Sequence, residues 1–248
     1  EWRKERGILM FEDCALSLLS KDNMDQAVGT FGDAAAFSFH KYLPVPEAGA
    51  LTWKTDWQKP SFNSCPNALQ TARQSASLIK NWVKRLNPLK PMKNSSNRTE
   101  GRVDVIEELP KHYYFDTWRI EKTCSNLAKN MVQNTDWDLV AFKRRENYLL
   151  LVQLLKSSGF LPLYPDLPSG VVPLNCPILV PNRDRVVDRL AEEGIVSTCW
   201  WSTGHKNVNW ENFPNARMLK QNLLPLPVHH LLGANDLERI VKKLEVVT

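Results

Sequence analysis

The chain has 248 residues, 43% of them apolar and 24% charged, with a net charge of +5. That suits a globular chain with room for one large domain or two small ones. The basic residues are scattered apart from short runs such as Arg3-Lys4 and Lys143-Arg144-Arg145, so no basic stripe for nucleic acid is present. No apolar run approaches the roughly 18 residues of a membrane-spanning helix. The five cysteines (Cys14, Cys65, Cys124, Cys176 and Cys199) are odd in number, widely spaced and without a Cys-x-x-Cys pair. They imply neither a disulfide framework nor a zinc site, and with no signal peptide in view a cytoplasmic setting is expected.

In chain order, Glu1 to Arg6 reads as the end of a helix and Gly7 as its stop, which predicts further sequence before Glu1. Residues 8–11 (Ile-Leu-Met-Phe) predict a strand buried on both faces and ending in Glu12-Asp13. Gly29-Thr30-Phe31-Gly32-Asp33 is turn chemistry. Ala34 to Phe39 has helix propensity, but its small residues and flanking turns favour a crowded central strand. Residues 49–53 read as another strand. A helical period covers 66–87, stopped by Asn87-Pro88. The polar stretch 88–112 reads as a loop or insertion. A long helical stretch follows over roughly 117–158, broken near Asn134-Thr135-Asp136. The last ninety residues alternate: a strand at 177–180, a helix at 183–193, a strand from Gly194 through about Trp200, a helix at 214–222, an extended segment Leu223–Val228 broken by Pro225 and Pro227, and a helix at 235–245. Strands alternating with helices mean an α/β layer.

The chemistry concentrates in residues 8–53. An acidic strand end, Asp13, precedes Lys41, which follows the next strand in Ser38-Phe39-His40-Lys41. The carboxyl edge of an α/β sheet is where ligands bind. A lysine amine that can form an imine, a carboxylate that can keep a pyridine nitrogen protonated, and a hydroxyl such as Ser38 that can bind a phosphate are what pyridoxal-phosphate chemistry needs. Spacing by itself is weak support, because such a pair reads as solvated charge in most proteins.

The segments ILMFEDCA, GTFGDAAAFSFHK and VPEAGAL resemble the DegT/StrS family of aminotransferases dependent on pyridoxal 5'-phosphate (PLP). RRENYLLLVQLL, PLNCPILVPNRDRVVDRLAEEGI and LLPLPVHHLLGANDLERI are similar to that family's small domain in order and spacing. The resemblance implies the α/β fold-type-I transferase architecture. Residues 1–115 would form part of the large cofactor domain, its N-terminal portion missing, and residues 116–248 a linking helix and a smaller α/β domain. It also implies that Lys41 is the Schiff-base lysine, that Asp13 pairs with the pyridine nitrogen and that Ser38 contacts the phosphate. Three features depart from the pattern: Leu16 stands where the family has Gln or His, Ala48-Gly49 where it has Gly-Gly, and Lys41 follows Ser38 by three positions where many members have a longer gap.

The reaction implied is transfer of an amino group, from a donor such as glutamate, onto a keto-sugar nucleotide or related keto compound, by a homodimer. The alternative is a truncated homologue that keeps the fold and dimerises without catalysis. His40 reads as a neighbour of the lysine, and His205, His229 and His230 as structural or solvated. Arg144 and Arg145 read as a solvated face, and Trp200, Trp201 and Trp210 as packing. Cys14 and Cys176 read as buried small hydrophobes.

Overall fold

The computed structural model describes residues 2–45, 47–54, 72, 76, 104–106, 122–197 and 203–248. It divides into two compact units: Glu1–Lys84, Asp116–Arg145 and Pro168–Leu174 in the first, and Arg85–Phe115, Glu146–Leu167 and Asn175–Thr248 in the second.

In the first unit, helix α1 (Trp2–Glu5) gives way to Gly7, which takes φ +62°, a left-handed conformation that glycine adopts without strain. Strand β1 spans Phe11–Asp13, so the ladder begins where the apolar run was expected to end. Residues 8–10 serve the turn instead: the Met10 carbonyl accepts from Asp33 N at 2.7 Å and Ala34 N at 3.3 Å. Nor is this stretch buried on both faces, since Ile8, Leu9 and Phe11 are 43%, 70% and 60% exposed. The reason is that β1 has a described neighbour on one side only, strand β2 (Ala34–Ser38), with which it pairs in parallel. Strand β2 is the middle of three, as its run of alanines predicts, and Ala34 and Ala35 are buried. Strand β3 (Gly49–Trp53) closes the sheet antiparallel to it.

The turn between β1 and β2 is tied down by two carboxylates. Glu12 accepts from Gly29 N at 2.8 Å and from Gly32 N. Asp33, buried, accepts from Met10 N at 2.8 Å and pairs with Arg3 and Lys54. A Cβ at position 32 would lie 2.7 Å from the Met10 carbonyl oxygen, so only glycine lets the turn approach β1 so closely.

Beyond the sheet, Leu43, Val45 and Ala128 form a small core with Phe39, Met131, Val132 and Trp137 around it. Helix α2 (Asn126–Gln133) is capped by the Ser125 hydroxyl, which accepts from Ala128 N at 3.2 Å. Helix α3 (Trp137–Ser157) begins after the expected break, where Asp136 Oδ1 accepts from Leu139 N at 2.9 Å.

Arg144 and Arg145 are not a solvated face. Arg144 is 1% exposed; its guanidinium lies 4.7 Å from the centre of the Tyr42 ring and donates to the carbonyls of Pro173 and Leu174. Arg145 donates to the carbonyls of Pro168 and Val171. A carbonyl-rich strap at 168–174 needs donors, and these arginines supply them.

The second unit is built on strands β5 (Asn175–Leu179) and β7 (Leu223–Pro227), paired antiparallel. The prolines were expected to break the second segment, yet it is a continuous strand. Pro225 faces Pro177 and Pro227 faces Asn175, all in one class of alternating pairs. Proline fits the pairs that exchange no hydrogen bond. The outward carbonyls of Pro177 and Pro225 accept instead from Leu163 N and Ser197 Oγ. Val186, Val187 and Leu190 of helix α4 (Arg183–Glu192) and Leu237, Ile240, Val241 and Leu244 of helix α6 (Ala234–Val247) share one core with Cys176, Ile178, Leu224 and Leu226. Helix α5 (Pro214–Asn222) leads into β7.

Two expectations are corrected here. The stretch 88–112 contains a strand, β4 (Asp104–Ile106), whose β-branched pair Val105-Ile106 suits it. It pairs in parallel with β6 (Thr203–His205). Residues 195–197 are not a strand: Ile195 N closes onto the Leu190 carbonyl at 2.8 Å as the end of helix α4. Residues 198–202 of the expected strand and its surroundings lie outside the described residues. The helix expected over 66–87 lies outside the described residues except for Ala72 and Ala76, which are helical; the Trp200-Trp201 pair lies outside them altogether.

Candidate functional site

In the parallel ladder Asp13 stands opposite Ala36. Paired residues share a face, and faces alternate every residue. Asp13, Ala36 and Ser38 therefore lie on one face, together with Leu51 and Gly49, which pair with Ala36 and Ser38 from β3. Strand spacing of about 4.8 Å and a rise of about 3.3 Å per residue put the α-carbons of Asp13 and Ser38 roughly 8 Å apart. Both sit at the carboxyl ends of parallel strands, the edge at which α/β sheets bind ligands. The floor between them is small: alanine at 36, serine at 38, glycine at 49.

Asp13 is exposed, and its Oδ1 accepts from Ala15 N at 3.0 Å. Among the described residues its Oδ2 has no hydrogen-bond partner. Ser38 ends β2 in extended backbone (φ −124°, ψ 108°), and a 3-10 turn, Phe39–Lys41, follows at once. The Ser38 side chain does not cap that turn; its Oγ lies 2.8 Å from His40 Nδ1. Burial, and then the charge of Lys41, pull the His40 imidazole below its usual pKa.

Lys41 itself is exposed, and among the described residues its amine takes no hydrogen bond or ion pair. The chain on either side of it is fastened. Tyr42 N and Leu43 N both donate to the Phe39 carbonyl at 2.9 Å. The Phe39 ring packs 5.6 Å from that of Trp137. Tyr42 is fully buried; its hydroxyl donates to the Leu16 carbonyl at 2.9 Å, and burial pushes its pKa to about 12. Arg144 covers the Tyr42 ring, and burial holds its own pKa to about 10.

The sequence-predicted trio therefore falls on three adjoining elements: Asp13 on β1 and Ser38 on β2, sharing one face, and Lys41 on the turn that Ser38 starts. Sequence reasoning missed Glu12, which builds the turn behind Asp13, and Tyr42, which anchors the residue after Lys41. The apolar run Tyr42-Leu43 beside a lysine was the signal for the second. Among the described residues, no cluster of three or more His, Cys, Asp or Glu side chains is placed to hold a metal ion, and no helix is long and apolar enough to cross a membrane.

Residues 1–67 match the sequence model of the DegT/DnrJ/EryC1/StrS aminotransferase family. No curated protein sequence matches the chain. Among solved structures it is similar to the aminotransferase TlmJ of Streptoalloteichus hindustanus, at 20% identity and TM-score 0.59, over 99% of this chain and 60% of that one. Spr1654 of Streptococcus pneumoniae in its PLP-form matches at 18% identity and TM-score 0.59, over 100% and 59%. Helicobacter pylori PseC, an aminotransferase involved in the biosynthesis of pseudoaminic acid, matches at 16% identity and TM-score 0.57, over 98% and 60%. The chain spans about three-fifths of the length of these solved relatives. Its fold is the mixed α/β fold of the PLP-dependent aminotransferases.

Proposed function

From a DegT-family match over residues 1–67 and an aminotransferase fold over the whole chain, we propose that this protein is a PLP-dependent aminotransferase and that Asp13, Ser38 and Lys41 hold its cofactor. The observation that carries the reading is the shared face of Asp13 and Ser38 at the carboxyl ends of paired parallel strands, with Lys41 on the turn that follows. The residues fit the group. Asp13 keeps one carboxylate oxygen unbonded among the described residues, a partner for a pyridinium N–H. Ser38 offers a hydroxyl for a phosphate, and the exposed Lys41 amine takes no hydrogen bond or ion pair among the described residues.

Bound there, pyridoxal 5'-phosphate supplies an aldehyde for an amine and a ring that withdraws electrons. Asp13 keeps the ring nitrogen protonated by its negative charge. Lys41, on a turn fastened by Tyr42, would hold the aldehyde through its amine and, once released, its Nζ would serve as the base that carries the proton. The acceptor is a keto-sugar nucleotide or related keto compound and the donor an amino acid such as glutamate; the sugar-related role of PseC supports the first. The working form is a cytoplasmic homodimer. The functional division runs near residue 115, with residues 1–115 as the cofactor domain and 116–248 as the linking helix and small domain.

The test is covalent capture. The protein is incubated with pyridoxal 5'-phosphate, reduced with borohydride, digested and mapped by mass spectrometry, with Lys41→Ala alongside. Label on Lys41 that is absent from the variant supports the enzyme. Label spread over surface lysines, unchanged by Lys41→Ala, sinks it.

A further inference from the structure

The hydrogen bond between Ser38 and His40 belongs to neither strand pairing nor helix capping, and it constrains what Ser38 can offer a ligand. A serine hydroxyl has one proton to give. To hold a phosphate, that proton must point at the anion. The Ser38 Oγ to His40 Nδ1 contact of 2.8 Å can be made in two ways. With the imidazole proton on Nε2, Nδ1 accepts the serine proton, and Ser38 shows an anion only lone pairs. With the proton on Nδ1, the ring donates to Oγ, and the serine proton is released toward the site.

Resting on the cofactor reading above, we infer that His40 is a positioning residue: it donates Nδ1–H to Ser38 Oγ and so commits the Ser38 hydroxyl as a donor to the phosphate of the ligand. The backbone favours this division of labour. Ser38 is held extended with its side chain kept off the turn that follows, and the tight 3-10 geometry brings the ring of residue 40 back over residue 38. Desolvation and the Lys41 charge favour the neutral ring, in which the choice of tautomer is decisive. His40 thus acts on the ligand through Ser38 and touches no reacting atom.

The test compares two ligands that differ only in the anion: pyridoxal 5'-phosphate and pyridoxal. Lys41-dependent binding of each is titrated by absorbance, and the quantity read is the ratio of the two dissociation constants. In the unaltered protein the phosphate ester binds more tightly. His40→Phe is expected to lower that preference about tenfold, the usual scale of one charge-assisted hydrogen bond. His40→Asn, whose amide can donate from near the Nδ1 position, is expected to restore most of it, while His40→Gln, whose amide reaches the Nε2 position, is not. Ser38→Ala should lose the preference as well, and Ser38→Ala/His40→Phe should be no worse than Ser38→Ala alone, because both act through one proton. A preference kept in His40→Phe but lost in Ser38→Ala overturns the inference and leaves the cofactor reading intact. Additive losses in the double variant overturn it too, since they mean that His40 meets the phosphate independently. If His40→Phe fails to fold, the split between the Asn and Gln variants decides. Absence of Lys41-dependent binding of either ligand by the unaltered protein removes the cofactor reading and this inference with it.

Discussion

Asp33 shows how one residue can carry a local fold. Its carboxylate joins α1 through Arg3, the entry to β1 through Met10 N and the exit of β3 through Lys54. The bond from Lys54, then that from Met10 N, hold its pKa down at about 2 against an ordinary 3.8. A depressed carboxylate stabilises the fold above its unfolded pKa and stops doing so as pH falls through the folded one. Asp33→Asn should therefore lower the melting temperature at neutral pH. The gap between variant and parent should close as pH drops from about 4 to about 2. Thermal unfolding followed across that range checks it; a gap that stays constant would mean the ion pairs contribute nothing.

Gly29 is the second residue-scale case. It sits at φ +85°, and a Cβ there would lie 2.3 Å from the Phe37 ring. Gly29→Ala should cost about 1–3 kcal/mol through backbone strain and the displaced ring, read by urea denaturation.

At the scale of elements, the feature that matters is how the turn bearing Lys41 is braced. Tyr42 reaches Leu16, Arg144 lies over Tyr42, and Arg144 in turn bonds the strap carbonyls of Pro173 and Leu174. Removing the guanidinium opens a cavity and strands two carbonyls. Arg144→Ala should cost about 2–4 kcal/mol, and Arg144→Met, which refills most of the volume, should recover part of it. Equal losses in both variants would show that the hydrogen bonds dominate over packing. The core of the second unit offers a simpler check: Leu190, fully buried among Val186, Val187 and Leu237, should lose about 2–5 kcal/mol as Leu190→Ala.

Element reading from the sequence succeeded where one local signal dominated. The alternation of apolar and polar residues placed helices α4, α5 and α6 within a residue or two at most ends, and the alanine run placed β2. It failed where a distant partner decided. Asp104–Ile106 is a strand because Thr203–His205 lies beside it, and no feature of the polar stretch 88–112 announces that neighbour. Leu223–Pro227 survives its prolines because Pro177 faces Pro225. Arg144 and Arg145 read as surface because charge on a helix usually is, and the carbonyls that engage both, with Arg144 buried, come from residues 168–174.

For the whole molecule, the proposal implies self-association: sedimentation should show a dimer at micromolar concentration, and a stable monomer there would count against it. The exposed Ile8, Leu9 and Phe11 lie along the edge of β1 that has no described strand beside it. Such an edge favours association and aggregation. A charged substitution such as Leu9→Lys should improve solubility if that edge is free in solution; unchanged solubility would mean that it is covered.

By itself the sequence determined the α/β class and most of the elements, because hydrophobic period and turn chemistry are local properties written in consecutive residues; it nominated Asp13, Ser38 and Lys41 only through motifs that resemble a family. Only the tertiary structure decided that Asp13 and Ser38 share one face, that His40 turns back onto Ser38 and that Arg144 is buried. The first and third depend on strand register or on a partner far away in the chain, and the second, between residues two apart, on the tight turn that follows β2. Register is set by the sum of many weak pairings, and no single stretch of residues contains it.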